Sequence, residues 1–116
     1  MPVIKDLYKQ LNSIECLPKN WDGYGADIIS EESIDNVRLF LDKYQKTLKK
    51  DLQKSSLIPN PYGTVSLIHD TKPSIFHLEV GKTHYSFYKN KESETITRYG
   101  SICEEEFHRV SALISL

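Results

Sequence analysis

The spacing of apolar residues changes from a helical period to a strand period near residue 55, and this change limits the fold class. Up to residue 52, apolar side chains recur every three or four positions, which places them on one face of a helix. From residue 64 onwards they alternate with polar side chains, as in a strand with one buried face. Helices followed by strands with short turns, and then by a last helix, predict an α+β protein with an antiparallel sheet.

The pattern predicts a single domain, 1–116, with two N-terminal helices, a four-stranded antiparallel meander sheet covered on one face, and a C-terminal helix. The helices are expected at residues 3–16, from an N-cap at Ser30 to about residue 52, and from a Ser101–Glu104 capping box onwards. The strands are expected at residues 64–69, 74–80, 83–89 and 94–99, with a turn at 69–73 and a charged tip at 89–93.

The clearest hairpin joins the second and third predicted strands through a two-residue turn, Gly81 and Lys82. Pairing Val80 with Thr83 gives this hairpin one apolar face, which must meet the helices. The facing pairs on that side are then Leu78 with Tyr85 and Phe76 with Phe87.

The other face of the hairpin carries two histidines and a carboxylate that could bind a metal or act as acid and base. In the predicted register His84 faces Glu79, and His77 is a diagonal neighbour. A Glu and a His facing each other are also an ordinary cross-strand polar pair, and the sequence shows no group that would orient them. We therefore expect no catalytic residue, no metal and no cofactor, and a hydrolase centred on these three side chains is the less favoured alternative.

Residues 20–26 read NWDGYGA and hold the only tryptophan and two of the five glycines. The glycines suit a backbone with positive φ, and the Asp22 side chain can bond amides just downstream, so the motif predicts a compact turn. Trp21 is predicted to be its buried anchor. In the alternative interpretation, Asp22 and Tyr24 form an exposed recognition tip on a rigid loop.

Composition restricts the function. The chain has 116 residues, 39% of them hydrophobic and 27% charged, which is typical of a soluble globular protein. A net charge of −1 lacks the basic excess that nucleic-acid binding usually needs. Cys16 and Cys103 are far apart and outside metal-ligand spacing, so we expect two reduced, buried thiols and a cytoplasmic location. No membrane span or signal peptide is expected.

The segments NWDGYGADIISEESIDNVRLFLDKY and IPNPYGTVSLIHD, followed by the hairpin strands, resemble a group of small, mostly uncharacterised bacterial and phage proteins. These proteins carry a NWDGYGA-type motif, a helix, a P-x-G turn and β-strands, and the likeness spans roughly residues 17–89. Such proteins often have proline soon after the motif, where this chain has Asp27 and Ile28. The resemblance implies a shared scaffold and a bacterial or phage setting, and it transfers no catalytic residue.

These observations favour a non-enzymatic protein-interaction module of the antitoxin, immunity or phage-accessory kind. Aromatic and charged side chains form its predicted binding surface: Trp21, Asp22, Tyr24, Tyr62, His77, Glu79, His84 and Tyr88. The alternative is a nucleotide- or metabolite-binding protein with a pocket beside the NWDGYGA loop, where Trp21 and Tyr24 stack on a ring. An open sheet also has edges with unpaired backbone groups, which makes a homodimer compatible with the sequence.

Overall fold

The computed structural model describes residues 4–71, 74–91 and 93–116. Three predictions extend beyond these ranges: position 3 of the first helix, positions 72–73 of the turn before the second predicted strand, and position 92 of the charged tip all lie outside the described residues.

An antiparallel sheet carries helices on one of its faces. The helices are α1 (Ile4–Glu15), α2 (Glu31–Tyr44), the short α3 (Lys49–Leu52) and α4 (Glu104–Ile114). The strands are β1 (Ser55–Pro59), β2 (Val65–Thr71), β3 (Ser74–Val80), β4 (His84–Lys91) and β5 (Glu94–Ser101). Strand order in space equals strand order in the chain, so the predicted antiparallel meander and the α+β class are confirmed.

The strand count was wrong, because the sequence pattern missed β1. Its sequence, SSLIP, is short and ends on proline, and a proline in such a run argues against a strand. In the structure β1 is an edge strand that pairs only with β2 among the described residues. Leu57 faces the core, and its N–H, which points away from β2, donates to Gln10 Oε1 of α1 at 2.7 Å. Proline is tolerated there because an edge position needs no outward donor.

The second helix ends earlier than predicted. It starts as expected after Ser30, whose Oγ accepts a hydrogen bond from the Ser33 N–H at 3.0 Å. It stops at Tyr44, and a turn and α3 follow. Because buried Leu48 and Leu52 continue the helical spacing across this break, the apolar pattern could not reveal it.

The β3–β4 hairpin pairs two residues further along β4 than predicted. The facing pairs on the helix side are Val80 with Tyr85, Leu78 with Phe87, and Phe76 with Lys89. The Gly81 N–H donates to the His84 carbonyl at 2.9 Å, so Lys82 and Thr83 are the turn residues. A Cβ at position 81 would lie 3.2 Å from the His84 carbonyl oxygen, a tight contact that glycine avoids. A shift of two residues keeps each side chain on its predicted face but changes its partner.

Three helices lie side by side over the sheet: α1 packs on β1 and α2, α2 packs on β2 and β3, and α4 packs on β4 and β5. Between these layers lies one apolar core, to which α1 contributes Leu7 and Leu11 and β3 contributes Leu78. No helix in the described part of the chain is both long enough and apolar enough to cross a membrane.

The start of α4 also differs from the prediction. Ser101 is the last residue of β5, and the N-cap is Cys103, whose side chain makes no capping bond, so the expected capping box is not formed. Cys103 and Cys16 are both free and exposed, and the prediction that they are buried was wrong. Cys103 occupies the N-cap rather than the apolar stripe of the helix, which explains its exposure.

Glu106 ties α4 to the sheet. Its carboxylate accepts hydrogen bonds from the Arg98 guanidinium at 3.0 and 3.1 Å and from the Tyr85 hydroxyl at 2.5 Å. The Arg98 and Tyr85 hydrogen bonds hold the pKa of Glu106 below its usual value. Gly100 leaves room for this contact, since a Cβ there would lie 3.3 Å from Glu106 Oε1.

Candidate functional site

The sheet face opposite the helices, here called the open face, carries four of the eight predicted site residues: His77, Glu79, His84 and Tyr88. One row across β1 to β5 consists of Ile58, Ser66, Glu79, Ser86 and Tyr99, and the next consists of Ser56, Ile68, His77, Tyr88 and Thr97. Small hydroxyl side chains alternate with larger apolar and aromatic ones, and Tyr99 is 83% exposed. Within these two rows Glu79 is the one carboxylate, so the centre of the open face has little charge.

A hydrogen-bonded network, here called the Asn60 network, runs from the open face into the turn that joins β1 to β2. The Asn60 side-chain amide donates to Thr64 Oγ1 and to Ser66 Oγ, each at 2.9 Å. Thr64 Oγ1 donates in turn to Glu79 Oε2 at 2.9 Å. Ser66 Oγ lies 2.7 Å from His77 Nε2. The network therefore connects Glu79 and His77 through residues that the sequence reasoning did not select.

Tyr62 lies in the same turn and is 63% exposed. Burial of part of its ring and the neighbouring Glu79 carboxylate raise the pKa of Tyr62 above its ordinary value. The phenol stays protonated at neutral pH beside Glu79, and its exposed ring offers an apolar surface to a partner.

The segment that follows the NWDGYGA loop, residues 27–30, packs against this turn. The Asp27 N–H donates to the Pro61 carbonyl at 2.7 Å, and the Ser30 N–H donates to the Gly63 carbonyl at 3.2 Å. Gly63 has a φ of 95°, and a Cβ there would lie 3.4 Å from the Ile28 carbonyl oxygen. These contacts make the loop and the turn one continuous surface at this end of the sheet.

Side-chain acceptors close the loop on itself, as the sequence predicted. Asp22 Oδ1 accepts from the Tyr24 N–H at 2.8 Å and from the Ala26 N–H at 3.1 Å. Gly23 and Gly25 have φ values of 79° and 86°, which confirms the left-handed backbone expected at these positions. Because one Asp22 oxygen already serves two loop amides, this carboxylate acts first as an internal support.

Trp21 and Tyr24 differ sharply in burial. Trp21 is partly buried, and its Nε1–H donates to the Asp27 carbonyl at 3.1 Å, so it ties the two ends of the loop together. It is not part of the buried apolar core, so the prediction of a buried anchor was wrong in its burial, although Trp21 does hold the loop together. Tyr24 is 93% exposed at the loop tip, which both interpretations of the loop allow.

His84 is separated from Glu79, contrary to the predicted register. In the ladder His84 faces Ser101, and Glu79 faces Ser86. Between them lies a shallow cavity of about 430 Å³, which Tyr99 borders on the β5 side. Residues 4–71, 74–91 and 93–116 contain no group of three or more His, Cys, Asp or Glu residues that could hold a metal ion. The facing His84–Glu79 pair on which the hydrolase alternative rested is not formed.

The structure thus gathers seven of the eight predicted residues into two neighbouring groups, and His84 belongs to neither. Tyr62, His77 and Glu79 belong to the Asn60 network or border it, and Tyr88 lies next to them as the cross-strand partner of His77. Trp21, Asp22 and Tyr24 belong to the NWDGYGA loop, and the segment directly after that loop packs on the same turn. Asn60, Thr64 and Ser66 were missed; the only sequence signal was a run of polar residues around the P-x-G turn.

Comparisons with protein-family models, with curated proteins and with solved structures give no match.

Proposed function

We propose that this protein is a non-enzymatic protein-interaction module whose binding surface is the open face with the adjoining Tyr24 and Tyr62 rings. The observation that carries the proposal is the Asn60 network, which holds polar groups of an uncovered sheet face in fixed positions. A rigid face loses little conformational entropy when a partner docks on it.

The chemistry of this surface suits a protein partner. Protein interfaces are enriched in tyrosine and depleted of charged side chains at their centres. The open face offers Tyr88 and Tyr99 in neighbouring rows with small hydroxyl side chains between them. Its surface is wide and shallow rather than enclosed, whereas small-molecule sites bury most of their ligand.

The most enzyme-like contact on the face is the one between Ser66 and His77. A serine hydroxyl 2.7 Å from an imidazole nitrogen has the geometry of an activated nucleophile. Ser66, however, is 1% exposed, and its Oγ also accepts from Asn60. A substrate cannot reach that oxygen, so this contact supports a structural role and a non-enzymatic function.

The small-molecule alternative has less support. Cavities of about 430, 390 and 240 Å³ lie at the β3–β4 turn, between α2 and α4, and across β4 and β5, and none of these three is lined by a residue of the NWDGYGA loop. The partly buried Trp21 points its only donor at the backbone of its own loop rather than leaving it for a ligand.

We place this module in the cytoplasm of a bacterium, as an accessory protein of the antitoxin, immunity or phage kind. The compartment is inferred from Cys16 and Cys103, because exposed free thiols persist in a reducing environment. The biological setting is inferred from the NWDGYGA motif alone.

Co-purification of the tagged chain from its native host tests the proposal. We expect a stoichiometric partner that is lost when Tyr88 and Tyr99 are both changed to alanine, with affinity falling roughly tenfold or more. Leu39→Ala is the matched control, because Leu39 is an exposed apolar side chain on α2, outside the open face. Full retention of the partner by the double tyrosine variant, with unchanged circular dichroism, would contradict the proposal.

A further inference from the structure

The two edges of the sheet differ in how their backbone groups are satisfied. At the β1 edge, Gln10 of α1 accepts the outward Leu57 N–H, and Pro59 has no N–H to leave unpaired. The helix α1 packs directly on β1. This edge is therefore closed to another strand by the devices that natural edges commonly use.

The β5 edge is open in the described part of the chain. The Ile102 N–H donates to the Thr83 carbonyl at 2.9 Å, which shows that even-numbered positions of this segment turn toward β4. Since N–H and C=O groups of successive strand residues point to opposite sides, the odd-numbered residues turn their N–H and C=O outward. Along β5 these are Thr95, Thr97, Tyr99 and Ser101, and all four are exposed.

The sequence of β5, ETITRYGS, lacks proline and lysine, the two residues that most often protect an edge strand from pairing. Its eight residues pair with β4 without a bulge. Threonine, isoleucine and tyrosine favour the extended backbone. A regular, unprotected edge of this length is a template for strand addition.

We propose that β5 pairs antiparallel with β5 of a second copy of this chain, across a two-fold axis at Ile96, and so forms a ten-stranded sheet through two copies of the five-stranded one. In this register Thr95 of one copy and Thr97 of the other exchange backbone hydrogen bonds on both sides of the axis. The two Ile96 side chains meet on the helix-covered face.

The charges of Glu94 and Arg98 favour this register and favour a second copy of β5 as the pairing strand. With Ile96 on the axis, Glu94 of each copy faces Arg98 of the other, giving two opposite-charge pairs. Moving the axis to Arg98 would instead set the two guanidinium groups against each other. Arg98 is held in place by Glu106 at 3.0 Å, so its position is defined before a second copy arrives. The strand is thus complementary to itself, as a two-fold interface requires.

Light scattering coupled to gel filtration tests the pairing over a series of micromolar concentrations. We expect a dimer of the wild-type chain that Thr97→Pro converts to a monomer, because proline removes an outward N–H that the monomer does not use. A second variant contains no added proline and so tests the pairing even if Thr97→Pro disturbs the fold. Thr95→Lys/Thr97→Lys places like charges opposite each other across the axis and should raise the dissociation constant at least tenfold. Its matched control, Thr95→Gln/Thr97→Gln, should remain dimeric.

Glu94→Lys tests the register, since it sets a lysine against Arg98 on both sides of the axis and should also raise the dissociation constant at least tenfold, while Glu94→Gln has a smaller effect. A wild-type chain that stays monomeric overturns the proposal. So does a dimer that is indifferent to Thr95→Lys/Thr97→Lys or to Glu94→Lys. This test does not depend on the proposed function, because the Tyr88→Ala substitution on the open face should leave the dimer intact.

Discussion

Phe76 and Lys89 face each other across β3 and β4 on the helix-covered side of the sheet. Lys89 is 1% exposed, and its ammonium donates to the carbonyls of Leu113, Ile114 and Leu116 at 3.0, 2.8 and 3.0 Å. The last carbonyls of a helix have no hydrogen-bond partner within it. A cation at this end also interacts favourably with the negative end of the helix dipole. A buried charge therefore fastens the end of α4 to the middle of β4.

Lys89→Met should destabilise the fold strongly, because it leaves these carbonyls without their shared donor. We expect a loss of roughly 3 kcal/mol or more in the free energy of unfolding, measured by urea denaturation. Lys91→Met is the control: Lys91 is exposed on the same strand and donates to the Leu116 carbonyl at 3.2 Å, so its loss should be small. Equal stability of the two variants would refute the capping role.

Alkaline pH should weaken the fold through Tyr85. Burial, and then the hydrogen bond to Glu106, raise the pKa of Tyr85 to about 12 from the ordinary 10.0. The folded protein therefore keeps this proton at a pH where the unfolded chain has lost it, and the contribution of Tyr85 to the unfolding free energy falls as pH rises from 10 to 12. Burial lowers the pKa of Lys89, which has the opposite sign, because stability then rises with pH up to about 10.5.

Urea denaturation at several pH values, for the wild type and Tyr85→Phe, measures this effect. We expect the phenylalanine variant to be less stable at neutral pH and to show a shallower decline above pH 10. Tyr99→Phe, which alters an exposed ring, should follow the wild-type curve. A Tyr85→Phe curve parallel to the wild type throughout would show that this hydroxyl does not titrate as described.

Gly25→Ala should cost roughly 1 to 2 kcal/mol, because the φ of 86° disfavours a residue with a Cβ. A Cβ there would meet nothing within 4 Å, so the cost is conformational rather than steric. Gly25→Asn should be milder, since asparagine tolerates the left-handed region. Thermal melts compare the two variants, and an alanine variant as stable as the asparagine one would contradict this origin.

Asn60→Ala should weaken both the fold and partner binding. It removes two hydrogen bonds, to Thr64 and to the buried Ser66, and we expect a loss of about 1 to 3 kcal/mol in unfolding free energy. Ser30→Ala is matched in stability, because losing the N-cap of α2 costs about 1 kcal/mol, but it lies outside the Asn60 network. Only Asn60→Ala should reduce partner recovery. Equal recovery with both variants would show that the Asn60 network does not contribute to partner binding.

The sequence alone determined the fold class, the meander order and the face on which most side chains lie. These follow from local rules: apolar spacing separates helix from strand, and alternation assigns each side chain of β3 and β4 to one face. The loop was predictable for the same reason, because two glycines and an aspartate within a few residues specify a turn with positive φ. Tyr62, His77 and Glu79 could be selected as polar or aromatic groups on exposed positions, without knowing their partners.

Only the tertiary structure decided which residues meet. The hairpin register pairs Gly81 with His84, and a two-residue slip changes no face, so the alternation could not detect it. β1 exists because β2 and Gln10 of α1 satisfy its backbone, although its own sequence is a weak strand former. The Asn60 network and the burial of Lys89 likewise join groups that are distant in the chain, and hydrogen bonds between distant residues leave no periodic trace in a sequence.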